Sequence, residues 1–460
     1  MAAARPSGKT RFAFDRMLDE NGATMTADDH RWSAATRQVR SGYESGVPQN
    51  TVTVPIYQSA AYEFESFESA RDIFALRRAG NLYSRTGNPT NSVLEKRVAA
   101  LDGGVGALAS ASGQSAVAIA LLALVRSGQH VVASSKLYGG TVDLLDDTFA
   151  DFGIAASFAD PGDVAAWTAA TTSATRAWFV ESIGNPTASL PDLRALADAA
   201  HELGVPLVVD NTVATPALLR PLEFGADVVV YSATKFLGGH GSSLGGVIVD
   251  SGRFDFGARP ERWTQFTEHS PRFGLTFLTD TGVSPYLAYA KAKLAHDLGP
   301  ALSPFNAFLL LQGIETLDLR VRRHTESALA VAEHLAGHPS VSVVRHAGLP
   351  THPDYARGVR DFPQGTGSVF AFDLAAGEEA VGPFIDRLEL FTLAANIGDV
   401  RSLVVHPSTT THSRFTAAQR DAAGISLSTI RLSIGLEDPA DLITDLDAAL
   451  AAVALQEAHS

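Results

Sequence analysis

The stretch Val228-Val229-Val230-Tyr231-Ser232-Ala233-Thr234-Lys235-Phe236-Leu237-Gly238-Gly239-His240-Gly241 decides how the rest of the chain is read. Its first residues form an apolar run with no polar alternation, which reads as a strand buried on both faces, as in a parallel sheet covered by helices. Such a strand delivers Ser232, Thr234 and Lys235 to its carboxyl end, where open α/β sheets gather ligands. A lone lysine after a strand is most often a solvated loop charge. Here two hydroxyls at alternate positions and a glycine run behind them suit an anion's oxygens and a close backbone approach.

Working outward, similar runs at 106–109, 130–133, 177–181, 207–210 and 247–250 predict further strands, with helices over 115–125 and 193–203 between them. Pro191-Asp192 opens the second helix and Gly204 closes it. Alternating strands and helices predict an α/β domain with a mainly parallel sheet. Upstream, 50–64 is polar and aromatic with little period and leads to the turn-like Tyr83-Ser84-Arg85-Thr86-Gly87-Asn88-Pro89-Thr90. Downstream of Gln312, a helical pattern over 314–335 and short strands at 341–344 and 368–372 predict a smaller α+β unit. The chain divides accordingly into a flexible leader and arm (1–83), a large domain (84–311) and a C-terminal domain (312–460).

With 460 residues, 45% of them hydrophobic and 19% charged, the chain can bury a large core. A net charge of -14 and the lack of any Lys/Arg-rich run argue against nucleic acid as a partner. The absence of cysteine excludes disulfides, thiolate metal sites and a cysteine nucleophile, and is what a protein kept in a reducing cytoplasm would show. Met1 to about Asp29 mixes charges of both signs and reads as a frayed leader with no signal-peptide core. The longest apolar stretches, 116–125 and 305–311, are too short to span a bilayer.

Two more elements join the lysine. Ser110-Ala111-Ser112-Gly113-Gln114-Ser115 follows the first strand and opens a helix, so its N–H groups and the helix dipole favour an anion. Alone it is weak, because any strand-to-helix turn favours Gly and Ser. Val208-Val209-Asp210-Asn211-Thr212 places an acid at the end of an apolar strand; alone it reads equally as a cap or turn carboxylate. In the order phosphate turn, acid, lysine, the three fit pyridoxal 5′-phosphate, whose ring nitrogen needs a carboxylate to act as an electron sink.

Seven ordered landmarks resemble the cystathionine γ-synthase family of Cys/Met-metabolism enzymes. They are Tyr83 to Thr90, Ala111-Ser112-Gly113-Gln114, Leu137-Tyr138-Gly139-Gly140-Thr141, Glu181-Ser182-Ile183-Gly184-Asn185-Pro186, Asp210-Asn211-Thr212, Ser232-Ala233-Thr234-Lys235, and Ile430-Arg431-Leu432-Ser433-Ile434-Gly435-Leu436-Glu437-Asp438. The resemblance covers roughly 54–446 and implies the aspartate-aminotransferase-like fold, fold type I. It implies that Lys235 is the Schiff-base lysine, Asp210 the pyridinium partner, and Ser232, Thr234, Gly113 and Gln114 the phosphate cradle. Tyr138 matches a tyrosine that stacks on the cofactor ring, and Asn185 an amide beside its hydroxyl. Tyr83 and Arg85 match residues that reach the cofactor of a neighbouring subunit, Arg431 one that grips the substrate α-carboxylate, and Ser402 lies in a segment next to substrate. Lys235, Tyr138 and Tyr83 are the catalytic candidates. His240, His406 and His412 show no metal-ligand pattern, and no metal is expected.

Family members differ in leaving group and nucleophile. Tyr138-Gly139-Gly140 lacks the cysteine that the methionine-degrading γ-lyases carry after Tyr-Gly. A long aromatic-rich stretch after Asp250, with Trp263, Phe266, Phe273 and Phe277, resembles the O-acetylhomoserine sulfhydrylase branch, as do Asn396-Ile397-Gly398-Asp399 and His406-Pro407-Ser408-Thr409-Thr410-Thr411-His412. That resemblance implies a cytoplasmic homotetramer, a dimer of dimers with shared sites, that turns O-acetyl-L-homoserine and sulfide into homocysteine and acetate for methionine biosynthesis. The alternatives are a cystathionine γ-synthase or O-succinylhomoserine sulfhydrylase, a γ-lyase, and a cofactor-binding protein without activity.

Overall fold

In the computed structural model, which describes residues 32–43, 50–75, 78, 80–282 and 284–457, a seven-stranded sheet forms the centre of the large unit. The leader expected over 1–29 lies outside the described residues. The strands are β1 (Gly106–Ser110), β2 (His130–Ser134), β3 (Ala155–Ala159), β4 (Thr175–Glu181), β5 (Leu207–Asp210), β6 (Val228–Ser232) and β7 (Gly246–Asp250), in the order β1-β7-β6-β5-β4-β2-β3. Neighbours from β6 to β3 pair in parallel. β7 alone runs against the rest, pairing antiparallel with both β1 and β6. The connection 233–245 contains no helix to carry a crossover, so the chain turns back beside β6.

Sequence reading missed β3, whose Ala-Ala-Ser-Phe-Ala lacks β-branched residues and lies half-buried at the sheet edge. The helix expected over 115–125 runs instead over Gly113–Leu122, because Ser112 and Ser115 form a reciprocal capping box that starts it earlier. A separate helix, Pro304–Ile314, precedes the one expected over 314–335, which runs over Leu317–Ala336. A Cβ at Gly313 would stand 2.2 Å from the Gly238 carbonyl oxygen, so the first helix ends pressed on the turn that follows Lys235. Arg320 of the second helix donates to the carbonyls of Phe236 and Leu237 at 2.9 and 3.2 Å.

A second, five-stranded sheet has the order β10-β11-β12-β9-β8, from β8 (Val341–Arg345), β9 (Val369–Leu374), β10 (Thr392–Leu393), β11 (Leu403–Val405) and β12 (Thr429–Ser433). Apolar side chains cover both faces of the large sheet. One layer, with Trp178, Val209 and Val229, continues into Phe370, Phe372 and Leu432 of the second sheet. The other packs Phe179, Val208 and Val230 against Trp263, Phe266, Phe277 and Tyr286. The aromatic stretch after Asp250 is therefore a core layer, with Phe256 and Phe266 ring centroids 4.5 Å apart. Burying each such ring contributes about 1.5–3 kcal/mol. No helix among the described residues is long and apolar enough to cross a membrane.

Candidate active site

The three neighbouring parallel strands β4, β5 and β6 end side by side, with Glu181 opposite Asp210 and Asp210 opposite Val230. This brings two buried acids to the carboxyl edge of the sheet, next to Ser232 and the lysine turn. Asp210 accepts from the Thr212 N–H at 2.9 Å, and burial pushes its carboxyl up to about 6 against the pull of Thr212. Glu181 is raised well above the usual carboxylate range by burial and by the Asp210 charge beside it. Its two oxygens accept from the N–H groups of Tyr138, at 2.6 Å, and Asn185, at 3.3 Å, so it ties both landmark loops to the strand end.

Lys235 is mostly buried, and its amine donates to the Asn396 side-chain oxygen at 2.5 Å. Burial and then the nearby Arg431 charge lower the amine to about 8, which leaves roughly a tenth of it neutral at pH 7. Arg431, on β12, is 2% exposed. It donates to the Asn396 carbonyl at 2.9 Å and to the Asn185 side-chain oxygen at 3.4 Å, while its Nε has no partner. Burial lowers this guanidinium to about 10, and no carboxylate among the described residues offsets it. A buried cation with an unused N–H and no counter-ion is poised for an anionic ligand.

The anion turn is built by close approach. A Cβ at Gly113 would stand 2.4 Å from Ser232 Cβ, so the helix start can sit against β6 only as glycine. The Ser232 N–H donates to the Thr212 hydroxyl at 2.8 Å, and the Thr234 hydroxyl accepts from the Gly245 N–H at 3.0 Å. Gln114 donates to the Gly140 carbonyl at 2.8 Å. The Tyr138 ring, 45% exposed, lies over Gly140, where a Cβ would come within 2.6 Å of it. At Gly139 a Cβ would meet the Thr411 carbonyl at 2.3 Å, and this brings the 406–412 segment over the tyrosine loop.

Lys235, Asn185, Tyr138, Asp210, Ser232, Gly113 and Gln114 thus gather at one edge of the large sheet, and Arg431 meets them from β12 of the second sheet. Tyr83 and Arg85 stand outside this group on an exposed turn, with the Arg85 guanidinium 5.5 Å from the Tyr83 ring centroid and donating to the His296 carbonyl. Ser402, expected in a segment beside the substrate, is fully buried and held by the chain's own groups. Its hydroxyl donates to Glu437 at 2.8 Å and accepts from the Gly435 N–H at 2.9 Å, so it braces the turn after β12, and Asn396 is the residue that meets Lys235. His240 donates to the Gly238 carbonyl, and His406 bonds Thr409 and Leu427. Sequence reasoning missed the roles of Asn396, Glu181 and Arg320. Asn396 lay within a quoted landmark, and Gly398 was the available signal: at φ +69, its Cβ would stand 2.7 Å from the Phe236 N, so its loop rests on the lysine turn.

The set fits pyridoxal 5′-phosphate: a lysine amine, an acid at the end of β5 with no cation beside it among the described residues, a glycine-lined helix start and a tyrosine ring come together at the strand ends. Fold and site together define a pyridoxal-phosphate-dependent enzyme built on an α/β sheet. The chain belongs to the Cys/Met metabolism PLP-dependent enzyme family, whose profile matches residues 35–451. It is 45% identical over 444 residues to an O-acetyl-L-homoserine sulfhydrylase from Leptospira meyeri, covering 94% of this chain and 99% of the relative. A crystal structure described as an O-acetylhomoserine (thiol)-lyase from Campylobacter jejuni, carrying a pyridoxyl-lysine monophosphate, superposes with a TM-score of 0.88 at 36% identity, covering 91% of this chain and 100% of the other. Cystathionine gamma synthase from Xanthomonas oryzae, in complex with aminoacrylate and cysteine, superposes at 0.79 with 35% identity, covering 92% and 99%.

Proposed function

We propose that this enzyme replaces the acetyl ester of O-acetyl-L-homoserine with sulfide, yielding L-homocysteine and acetate for methionine biosynthesis in the cytoplasm. When bound, pyridoxal 5′-phosphate supplies an electron sink conjugated to the substrate's α-carbon. Lys235 would hold it, and the Lys235 amine is the group placed to carry protons to and from the substrate's Cα. Its lowered basicity suits that exchange, and Asn396 holds the amine within reach. Asp210 would pair with the ring nitrogen. Ser232, Thr234 and the Gly113-Gln114 helix start would receive the phosphate. Tyr138 would stack on the ring and Asn185 would meet the ring hydroxyl. Arg431, whose Nε has no partner, would take the substrate carboxylate. The net exchange breaks the Cγ–O bond to acetate and forms a Cγ–S bond to sulfide.

The observation that carries this reading is the single cation at the lysine. Among the described residues Arg431 is the one whose charge bears on Lys235, and sulfide, unlike cysteine, needs no second carboxylate grip. The proposed assembly is a homotetramer in which Tyr83 and Arg85 serve the neighbouring subunit's site; both are left exposed within a single chain.

Product chromatography with the purified enzyme tests the reaction. O-acetyl-L-homoserine plus sulfide is expected to give homocysteine and acetate with a kcat/KM well above that for O-succinylhomoserine plus cysteine. Dominant cystathionine, or dominant α-ketobutyrate and ammonia with sulfide present, would overturn the sulfhydrylase reading.

A further inference from the structure

Behind the strand ends runs a second line of polar side chains that the reaction itself does not use. Ser182, Asn211 and Tyr231 are the chain neighbours of Glu181, Asp210 and Ser232. Because side chains alternate along a strand, they stand on the far side of the same edge. The Ser182 hydroxyl donates to the Asn211 side-chain oxygen at 2.7 Å, and the Asn211 amide donates to the Tyr231 oxygen at 3.0 Å and to the Leu219 carbonyl at 2.9 Å. The Tyr231 hydroxyl in turn donates to an Asp102 carboxyl oxygen at 2.7 Å. All four residues are at most 1% exposed. Asp102 is the last residue of the helix Pro89–Asp102 and lies 129 residues from Tyr231 in sequence, so the line crosses from the sheet to a separate element.

Nothing in folding alone calls for a carboxyl at this depth, where an apolar side chain would pack without the cost of desolvation. The second Asp102 oxygen has no partner, and burial pushes the group up to about 7. The Tyr231 hydroxyl on β6 and then the Arg220 charge draw its pKa back down, and Glu223 raises it again. The same Tyr231 lies close enough to Asp210 for that charge to raise its own hydroxyl.

We infer that Asp102 is a positioning residue for Asp210, acting through Tyr231 and Asn211 to fix the end of β5 against the cofactor's ring nitrogen. This rests on the reading of Asp210 as the ring partner and adds a layer that no contact with substrate or cofactor would reveal. Tyr231→Phe cuts the line while keeping the ring's packing. Asp102→Asn keeps an oxygen that accepts from Tyr231.

The test titrates each apoenzyme with pyridoxal 5′-phosphate and then follows the pH at which the bound cofactor's visible band changes. Tyr231→Phe is expected to weaken cofactor binding about fivefold, the scale of one lost buried hydrogen bond. The band's transition is expected to move by about half a pH unit. Asp102→Asn should recover the parent's binding and band below about pH 6, where the parent carboxyl is mostly neutral. A Tyr231→Phe enzyme that melts earlier but binds and titrates like the parent would reduce the line to structural support and overturn the inference. Asp210→Asn run alongside separates the two claims: if it leaves the band unmoved, the ring-partner reading fails first, whereas a shifted band there beside an unshifted one in Tyr231→Phe defeats only the role given to Asp102.

Discussion

Residues 233–245 and 254–289 both extend from the antiparallel pair β6 and β7, yet they are held in opposite ways. The first segment carries Lys235 and is fixed by directed bonds. Gly239 N–H donates to the Lys235 carbonyl at 2.7 Å, Thr234 bonds Gly245, and Arg320 takes the carbonyls of Phe236 and Leu237. The second is held by rings: Trp263 lies edge-on to Phe254 and Phe256 at 5.6 and 5.2 Å, and Phe277 edge-on to Tyr289 at 5.4 Å. Hydrogen bonds place one atom closely and contribute little net stability, whereas ring burial contributes much stability without aiming anything. Positioning and stability are therefore carried by different segments of this chain, and their variants should behave differently.

The sharpest break between the two comes from Lys235→Ala. Its turnover is expected to fall by about three orders of magnitude or more, because nucleophile and proton carrier are lost together, while the apoenzyme's unfolding midpoint stays within about 2 °C of the parent. Calorimetry beside a turnover assay decides it, and near-parental turnover would remove Lys235 from its role. Trp263→Ala should do the reverse, losing about 3–5 kcal/mol of stability by denaturant titration while the folded enzyme keeps its kcat/KM within about twofold. If activity falls further than the folded fraction, the aromatic layer aims the site as well as supporting it.

Arg320→Lys probes the join between the regimes. A lysine cannot reproduce the fork across two carbonyls, so kcat is expected to drop about tenfold with a stability loss of about 1–2 kcal/mol. A larger loss of stability than of rate would place Arg320 with the rings.

The smallest effect is electrostatic. In the apoenzyme, burial and Arg431 disfavour the charged lysine, so acylation of the Lys235 amine should rise with pH around about 8, well below the about 10.4 of an exposed lysine. Arg431→Ala removes the repelling cation and should move the transition up in pH. A transition that stays put would mean that burial alone lowers the amine.

The strands of the large sheet were legible because both their faces are buried, which makes them unbroken apolar runs; β3 was not, since an edge strand of small residues carries neither periodicity nor β-branching. Lys235, Asp210 and Arg431 could be read because each is a charged group set in an apolar context. Asn396 and Glu181 could not be assigned roles in the same way. An amide in a loop has no period, and the meeting of Asn396 with Lys235 spans 161 residues of chain. Ser402 belongs to the same segment as Asn396, and which of that segment's side chains faces the lysine depends on the bend at Gly398.

The reversal of β7 also makes the two ends of the sheet unequal in their tolerance of change. Because β7 runs backwards, Asp250 lies opposite Val228, at the far end of β6 from Ser232, and the long segment that follows leaves the sheet from the edge remote from the lysine. It returns to the other end only at Pro300, whose carbonyl accepts from the Ala111 N–H at 2.8 Å. The exposed turn at Gly257-Ala258 is therefore a natural place to graft a tag, a fluorophore or an extra loop, since added length there is taken up at the surface before the chain reaches the chemistry. Between Lys235 and Gly239, where Gly239 bonds Lys235 and Arg320 holds the two carbonyls in between, no such slack exists, and a single added residue would carry the amine away from its partners.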